Sequence, residues 1–156
     1  MEGFIVTSMT YNETKLLHWD SPTSRKSGEI WSGYLDIDDL TETKAIMTSE
    51  PTLACSLFRG SMVQITPKGV YLNGIAAKEV NTYERIVHAD ILEQNLALVI
   101  YHQTGNCTLV HLRLVEESSL ETTIGLPELQ ETQLPREAST LKLLKYGYST
   151  SVVTSS

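Results

Sequence analysis

The residues that could carry chemistry are few, and the pair His88 and Asp90 has the most suggestive spacing. In "HAD" the two side chains lie on the same side of a β-strand, as they would in a metal site or an acid–base pair. A zinc site needs further histidine or cysteine ligands, and no matching spacing is present. The preferred interpretation is structural, with a polar group of this strand bonding neighbouring backbone. The alternative is a β-sandwich enzyme or metal-dependent binding module that uses His88, Asp90 and Asp36.

The other candidate groups have simpler interpretations. In "DIDDLTETK", Asp36, Asp38 and Asp39 are clustered carboxylates of the kind calcium prefers, but the glycine and distal glutamate of a calcium loop are missing. His102 and His111 fall within predicted strands and are interpreted as packing or rim residues. No G-x-S-x-G, P-loop or G-x-G-x-x-G motif is present. The sequence therefore predicts no catalytic residue, no cofactor and no metal ligand.

Length and composition fit one soluble globular domain. With 41% hydrophobic and 20% charged residues, wholesale disorder is not expected. The net charge of −7 argues against a nucleic-acid-binding module, which needs a basic surface. No apolar run reaches the roughly 20 residues of a membrane-spanning helix, and Glu2 stands where a signal peptide would carry positive charge. These features predict an intracellular protein, in which Cys55 and Cys107, both within apolar strand patterns, are buried thiols.

Strand patterns recur along the chain, and helix patterns are scarce. The first are "GFIVTSM", "KLLHWD" and "EIWSGYLDI", and "TLACSLF", "SMVQITP" and "GVYLNG" follow. Turns are predicted at Arg59-Gly60 and at Pro67-Lys68-Gly69, because glycine supplies positive φ and proline sets φ at a corner.

The clearest unit comprises "RIVHADIL", "LALVIYHQ" and "CTLVHLRLV", with a turn predicted at Thr104-Gly105-Asn106. Residues Leu96 to Tyr101 are apolar at both strand parities, so this strand is predicted to be covered on both faces. The strand that follows alternates, with one apolar face and one mixed face, as expected further from the core.

Short antiparallel strands around a doubly covered inner strand predict an all-β protein made of β-propeller blades, each a WD40-like four-stranded antiparallel sheet. A β-sandwich fits the same pattern. The predicted division is a partial blade over 1–40, a blade over about 51–84 and a blade over about 85–124. "SLETTIGL" is predicted to be an outer edge strand, 125–138 an acidic or polar linker or loop, and 139–156 the start of a further strand with a frayed terminus.

One segment resembles a motif of the CPSF-A family of large multi-propeller proteins, which includes damaged-DNA-binding protein one and the third subunit of splicing factor three b. In that family a strand "PTL-small-C/G-small-L/I" leads through a polar turn to "hVQhxPxGhxh", where h is apolar. "PTLACSL" and "MVQITPKGVYL" match this pattern, and the resemblance extends over residues 3–115. The chain lacks the basic residue usual near Tyr71-Leu72-Asn73, and "SPTSRKSG" and "LTETKAIM" lengthen loops. The resemblance implies an incomplete propeller fragment, since a few blades cannot close a ring of about seven.

The resemblance also implies a function. Members of the family are non-catalytic scaffolds in nuclear complexes for pre-mRNA processing, DNA repair or ubiquitin ligation. The expected partners are other protein subunits of such a complex, with any contact to nucleic acid indirect and none to a membrane. The residues predicted to bind partners are Arg25, Lys26, Trp31, Arg59 and Lys68.

Overall fold

The computed structural model describes residues 3–9, 13–19, 37–39, 46–117, 123–134, 140–146 and 149–155. Every regular element in these ranges is a β-strand, which confirms the all-β prediction. The strands are β1 (Gly3–Met9), β2 (Glu13–Trp19), β3 (Ile37–Asp39), β4 (Ala54–Phe58), β5 (Ser61–Thr66), β6 (Gly69–Leu72), β7 (Ile75–Glu79), β8 (Glu84–Leu92), β9 (Asn95–His102), β10 (Cys107–Arg113), β11 (Val115–Glu117), β12 (Thr123–Gly125), β13 (Glu128–Leu134), β14 (Thr140–Tyr146) and β15 (Ser149–Ser155). Within the same ranges, no helix has the length and apolar character needed to cross a membrane.

The first four-stranded sheet contains β4, β5, β6 and β7 in chain order, all antiparallel. Two-residue turns join its strands, and the turn predicted at Arg59-Gly60 is confirmed. The turn predicted over Pro67-Lys68-Gly69 is confirmed for Pro67-Lys68, whereas Gly69 is already the first residue of β6 and has no positive φ. Arg59 has φ 48° and Gly60 has φ 79°, the two positive values that match the twist of a tight hairpin. Gly69 begins β6 so close to the carbonyl of Lys78 that a Cβ atom would clash there.

The second four-stranded sheet has the order β13-β10-β9-β8 and is also antiparallel. The turn predicted at Thr104-Gly105-Asn106 is confirmed, with His102 N donating to Asn106 O at 2.9 Å and Gly105 N donating to His102 O at 2.9 Å. Gly105 has φ 87°, which glycine adopts without strain. Strands β8, β9 and β10 therefore form a meander, and β13 completes the sheet after an excursion of the chain.

A shared hydrophobic cluster packs the two sheets against each other, and we call it the inter-sheet core. It contains Val63, Ile65, Val70, Ile86, Leu96, Leu98, Ile100, Val110, Leu112 and Leu114. The members come from one face of each sheet, as alternation along a strand requires. A backbone hydrogen bond from Ile86 N to Pro67 O, 2.8 Å long, joins the start of β8 to the β5–β6 turn.

The opposite face of the second sheet is covered by a second cluster, which we call the outer core. It contains Ala97, Val99, Cys107, Leu141 and Leu143, the last two from β14. Strand β14 pairs with β15 in a separate hairpin and packs against β8 and β9. Residues 96–100 are therefore buried from both sides, and the predicted double coverage of this strand is confirmed. The predicted alternation of β10 is confirmed as well, because Thr108, Val110 and Leu112 are buried whereas Arg113 is exposed.

The segment after residue 115 differs from the prediction. The linker predicted over 125–138 is wrong for residues 128–134, which form β13 and pair with β10. The residues of "SLETTIGL" that the structure describes contribute β12, which pairs with the short β11 rather than with the four-stranded sheet. The predicted strand after residue 139 is present as β14. The predicted frayed terminus is wrong for residues 149–155, which form β15 and pair with β14. Strand β13 forms despite its polar sequence because it satisfies the backbone groups along the edge of β10.

The two cysteines are free thiols with different environments. Cys107 is buried in the outer core, as predicted. Cys55 is exposed, so the prediction of a buried thiol there is wrong. Its strand β4 lies at the edge of the first sheet, and alternate residues of that strand face outward.

In the N-terminal part, β1, β2 and β3 form a three-stranded antiparallel sheet.

Candidate functional site

A chain of polar side chains crosses all four strands of the second sheet at one end. Glu84 begins β8, His102 ends β9, Thr108 lies in β10 and Gln133 lies in β13. The Glu84 carboxylate (Oε1) is 2.8 Å from His102 Nδ1, and His102 Nε2 is 2.6 Å from Thr108 Oγ1. Gln133 Nε2 donates to the same hydroxyl oxygen at 2.9 Å. We call this chain of four residues the polar ladder.

Three members of the polar ladder have the order carboxylate, imidazole and hydroxyl that activates a nucleophile in hydrolases. With Nδ1–H donating to Glu84, the Nε2 atom of His102 would accept the hydroxyl proton of Thr108. However, Thr108 is only 1% exposed, and its oxygen already accepts from Gln133. A substrate could reach this hydroxyl only if the end of the sheet opened. The geometry therefore fits a structural role, in which each buried polar group has a partner.

Replacing Thr108 with valine is expected to lower the free energy of unfolding by about 1–2 kcal/mol, because the half-buried His102 would lose the buried hydroxyl that it contacts, whereas the exposed Gln133 can bind water instead. Valine keeps the side-chain shape and removes only the hydroxyl. Urea denaturation monitored by circular dichroism gives the difference. Thr132→Val, an exposed threonine on β13, is the matched control and should change stability by less than about 0.5 kcal/mol. Equal effects of the two variants would contradict the structural role.

His88 and Asp90 lie on the same side of β8, as predicted, and face the outer core with β14. Asp90 Oδ2 accepts a hydrogen bond of 2.7 Å from the backbone N of Leu143. The carboxylate therefore bonds neighbouring backbone, as the structural interpretation predicted. In the described ranges, no group of three or more His, Cys, Asp or Glu side chains is placed to hold a metal ion. Asp36 lies outside the described residues.

The two predicted partner-binding residues that the structure describes, Arg59 and Lys68, lie in the turns at opposite ends of β5. Arg59 lies in the β4–β5 turn and forms an ion pair of 2.9 Å with Glu116. Lys68 lies in the β5–β6 turn, at the other end of β5, and forms an ion pair with Glu50. The side chains of Arg59 and Lys68 are both well exposed. The other three, Arg25, Lys26 and Trp31, lie outside the described residues.

The pKa shifts of Lys68, Tyr71 and His111 have causes in their immediate surroundings. The hydrogen bond with Glu50, and then its charge, raise the pKa of Lys68. Burial raises the pKa of Tyr71, and the nearby charge of Glu79 raises it further. Burial and the neighbouring Arg113 lower the pKa of His111, whose Nε2 atom is 3.1 Å from Asn95 Oδ1. His111 is therefore a partly buried residue of the sheet, in agreement with its predicted packing role.

Gln64 is a structural residue whose role was not predicted. Its side chain is 1% exposed and binds the segment that precedes β4. Gln64 Oε1 accepts from Met47 N at 2.7 Å, and Nε2 donates to Met47 O at 2.9 Å and to Thr52 Oγ1 at 2.8 Å. The amide thus pairs with both backbone groups of Met47, as a neighbouring strand would. The sequence did contain a signal for this role, since Gln64 is a polar residue within the otherwise apolar run "MVQI".

Comparisons with known proteins give no relative: no family model, no curated protein and no solved structure matches the chain.

Proposed function

We propose that this chain is a non-catalytic scaffold built from β-propeller-type blades, which mediates protein–protein assembly in a nuclear complex. The observation that supports it best is the stacking of two consecutive four-stranded antiparallel sheets through one continuous core. A blade must bury both faces against its neighbours, and the second sheet does so with the inter-sheet and outer cores. Rigid sheets of this kind hold their turns in fixed positions, where they can meet partners.

The resemblance to the CPSF-A family supplies the biological setting of this proposal. The matched motif contains Gln64, Pro67 and Gly69, and each has a defined position in the first sheet. Gln64 binds the segment before β4, Pro67 accepts the backbone hydrogen bond of Ile86, and Gly69 allows β6 and β7 to approach closely. We propose on this basis a role in pre-mRNA processing or in DNA repair with ubiquitin ligation.

The alternative, a β-sandwich module that uses His88 and Asp90 for metal-dependent chemistry, has less support. The Asp90 carboxylate already binds the backbone of Leu143, and the described residues offer no third ligand. A crystal structure distinguishes the two architectures. Sheets inclined around a common axis are expected for blades, whereas two sheets facing each other with no third sheet on the second face would contradict the propeller proposal.

Affinity capture with the full chain tests the scaffold function. At least one protein should be recovered from nuclear extract in a constant ratio to the bait. Arg59→Glu should lower its recovery at least about fivefold if the β4–β5 turn contributes to binding. Lys142→Glu, a charge reversal at an exposed site on β14, is the matched control and should retain the partner. Failure to recover any protein with soluble bait, or recovery from cytosolic extract only, would contradict the proposal.

A further inference from the structure

The turn between β6 and β7 contains the one Asn-Gly sequence of the chain, Asn73-Gly74. Asn73 has φ 49° and Gly74 has φ 77°, the two positive values of a tight two-residue hairpin turn. Asn73 is exposed, and Gly74 has no side chain to obstruct an approach to it. In the described part of the chain, the Gly74 N–H donates to no backbone carbonyl, so this nitrogen can react without breaking a ladder bond.

The side chain of Asn73 extends the ladder between β5 and β6 by one residue pair. Regular pairing of the two strands ends at Val63 and Leu72. Beyond that pair, Asn73 N donates to Met62 O at 2.8 Å, and Asn73 Oδ1 accepts from Met62 N at 2.8 Å. Asn73 Nδ2 donates to Ser61 Oγ at 3.2 Å. These bonds hold the amide against β5 and restrict its rotation toward the backbone nitrogen of the next residue.

We propose that Asn73 is a site of spontaneous deamidation, and that its side-chain bonds to Met62 and Ser61 set the rate. The Gly74 nitrogen loses its proton to solvent and attacks Cγ of Asn73. The Cγ–Nδ2 bond then breaks, and the amide nitrogen takes up a solvent proton and leaves as ammonia. Water opens the resulting succinimide ring at either carbonyl carbon and gives aspartate or isoaspartate. Each conversion adds one negative charge to the net charge of −7.

The two products differ in their effect on the turn. Aspartate keeps a side-chain oxygen that can accept the N–H of Met62. Isoaspartate routes the backbone through the former side chain, which lengthens the turn by one methylene and removes the acceptor that faced Met62. The pair formed by Asn73 and Met62 is then lost at this end of the first sheet. This inference does not depend on the proposed scaffold function, since it concerns only the chemistry of one turn.

Incubation of the full chain at mildly alkaline pH, followed by proteolysis and mass spectrometry of the peptides, tests the site. We expect Asn73 to be converted at least about tenfold faster than Asn81 or Asn106, which are exposed but precede threonine and cysteine. An isoaspartate-specific methyltransferase should label the converted peptide. Conversion of Asn81 or Asn106 as fast as that of Asn73, or no conversion at Asn73, would overturn the proposal.

Ser61→Ala tests the restraint that the hydrogen bonds impose. It removes the acceptor of Asn73 Nδ2 and should speed the conversion about three- to tenfold, as expected for one lost hydrogen bond. Ser49→Ala, at an exposed serine outside this turn, is the matched control and should leave the rate unchanged. Equal rates in the two variants would contradict the restraint.

Hydrogen exchange of the Met62 amide reports the structural consequence. It should be faster in the isoaspartyl protein than in Asn73→Asp, which carries the same charge but keeps the oxygen that accepts from Met62 N. Equal exchange in the two proteins would show that the isoaspartyl turn still holds this pair, against the proposal.

Discussion

Replacing Gln64 with leucine is expected to lower the free energy of unfolding by about 3 kcal/mol, although leucine is apolar and the site is buried. The substitution removes the two hydrogen bonds to the backbone of Met47 and the one to Thr52. The N–H and C=O groups of Met47 would then have to find water or remain unpaired in a partly buried segment. The loss of these bonds outweighs the small gain from a more apolar side chain.

Urea denaturation gives this difference, and two further variants separate its causes. Gln103→Leu, in the exposed β9–β10 turn, is the matched control and should change stability by less than about 0.5 kcal/mol. Gln64→Glu keeps the size but removes the Nε2 donor, and its carboxylate would face the carbonyl oxygen of Met47. It should therefore be at least as destabilising at neutral pH. A Gln64→Leu protein as stable as the unmodified chain would show that the amide does not hold the segment before β4.

The parts of the fold that local sequence determines were predictable. Turn positions followed from the conformational preferences of Gly60, Pro67 and Gly105. The burial of residues 96–100 followed from a strand that is apolar at both parities, since such a strand is unstable with one face in water. These signals depend on residues near each other in the chain, so one sequence contains them.

The parts of the fold that tertiary context determines were not predictable from the sequence. Strand β13 has the polar sequence "ELQETQL" between two prolines, and it is a strand because β10 offers an unpaired edge. Cys55 lies in a strand as apolar as its neighbours, but the position of β4 at the edge of the sheet exposes it. Local pattern indicates that a strand forms, whereas its place in the sheet decides which faces and edges are covered.

The polar ladder illustrates the same limit for a site. Glu84 and Gln133 are far apart in the sequence, and only the register of four strands brings them to the two ends of one hydrogen-bonded chain. Gln64 offered a clearer signal, because a polar residue within an apolar run must find buried partners. Its partners, Met47 and Thr52, could not be named, since they depend on how the preceding segment returns across the sheet.

Truncating β9 on either face is expected to be strongly destabilising, because both faces are packed. Leu98 points into the inter-sheet core and Val99 into the outer core, and both are 0% exposed. We expect Leu98→Ala to cost about 3–4 kcal/mol and Val99→Ala about 2 kcal/mol, through lost burial and the cavity left behind. Val153→Ala, a truncation at a 47% exposed site on β15, is the control and should cost less than about 1 kcal/mol.

Comparing the two truncations tests whether both faces of β9 are packed, because Leu98 lies in the inter-sheet core and Val99 lies in the outer core. Urea denaturation provides the free energies, and thiol labelling provides a second readout for the outer core. Cys107 belongs to the same outer-core cluster as Val99, so Val99→Ala should make Cys107 more reactive than Leu98→Ala does, although Leu98→Ala lowers the stability more. If Val99→Ala had the small effect of an exposed truncation, the β14–β15 hairpin would not cover this face. The second sheet would then be packed on one side only, as in a two-layer sandwich, which would contradict the proposal of stacked blades.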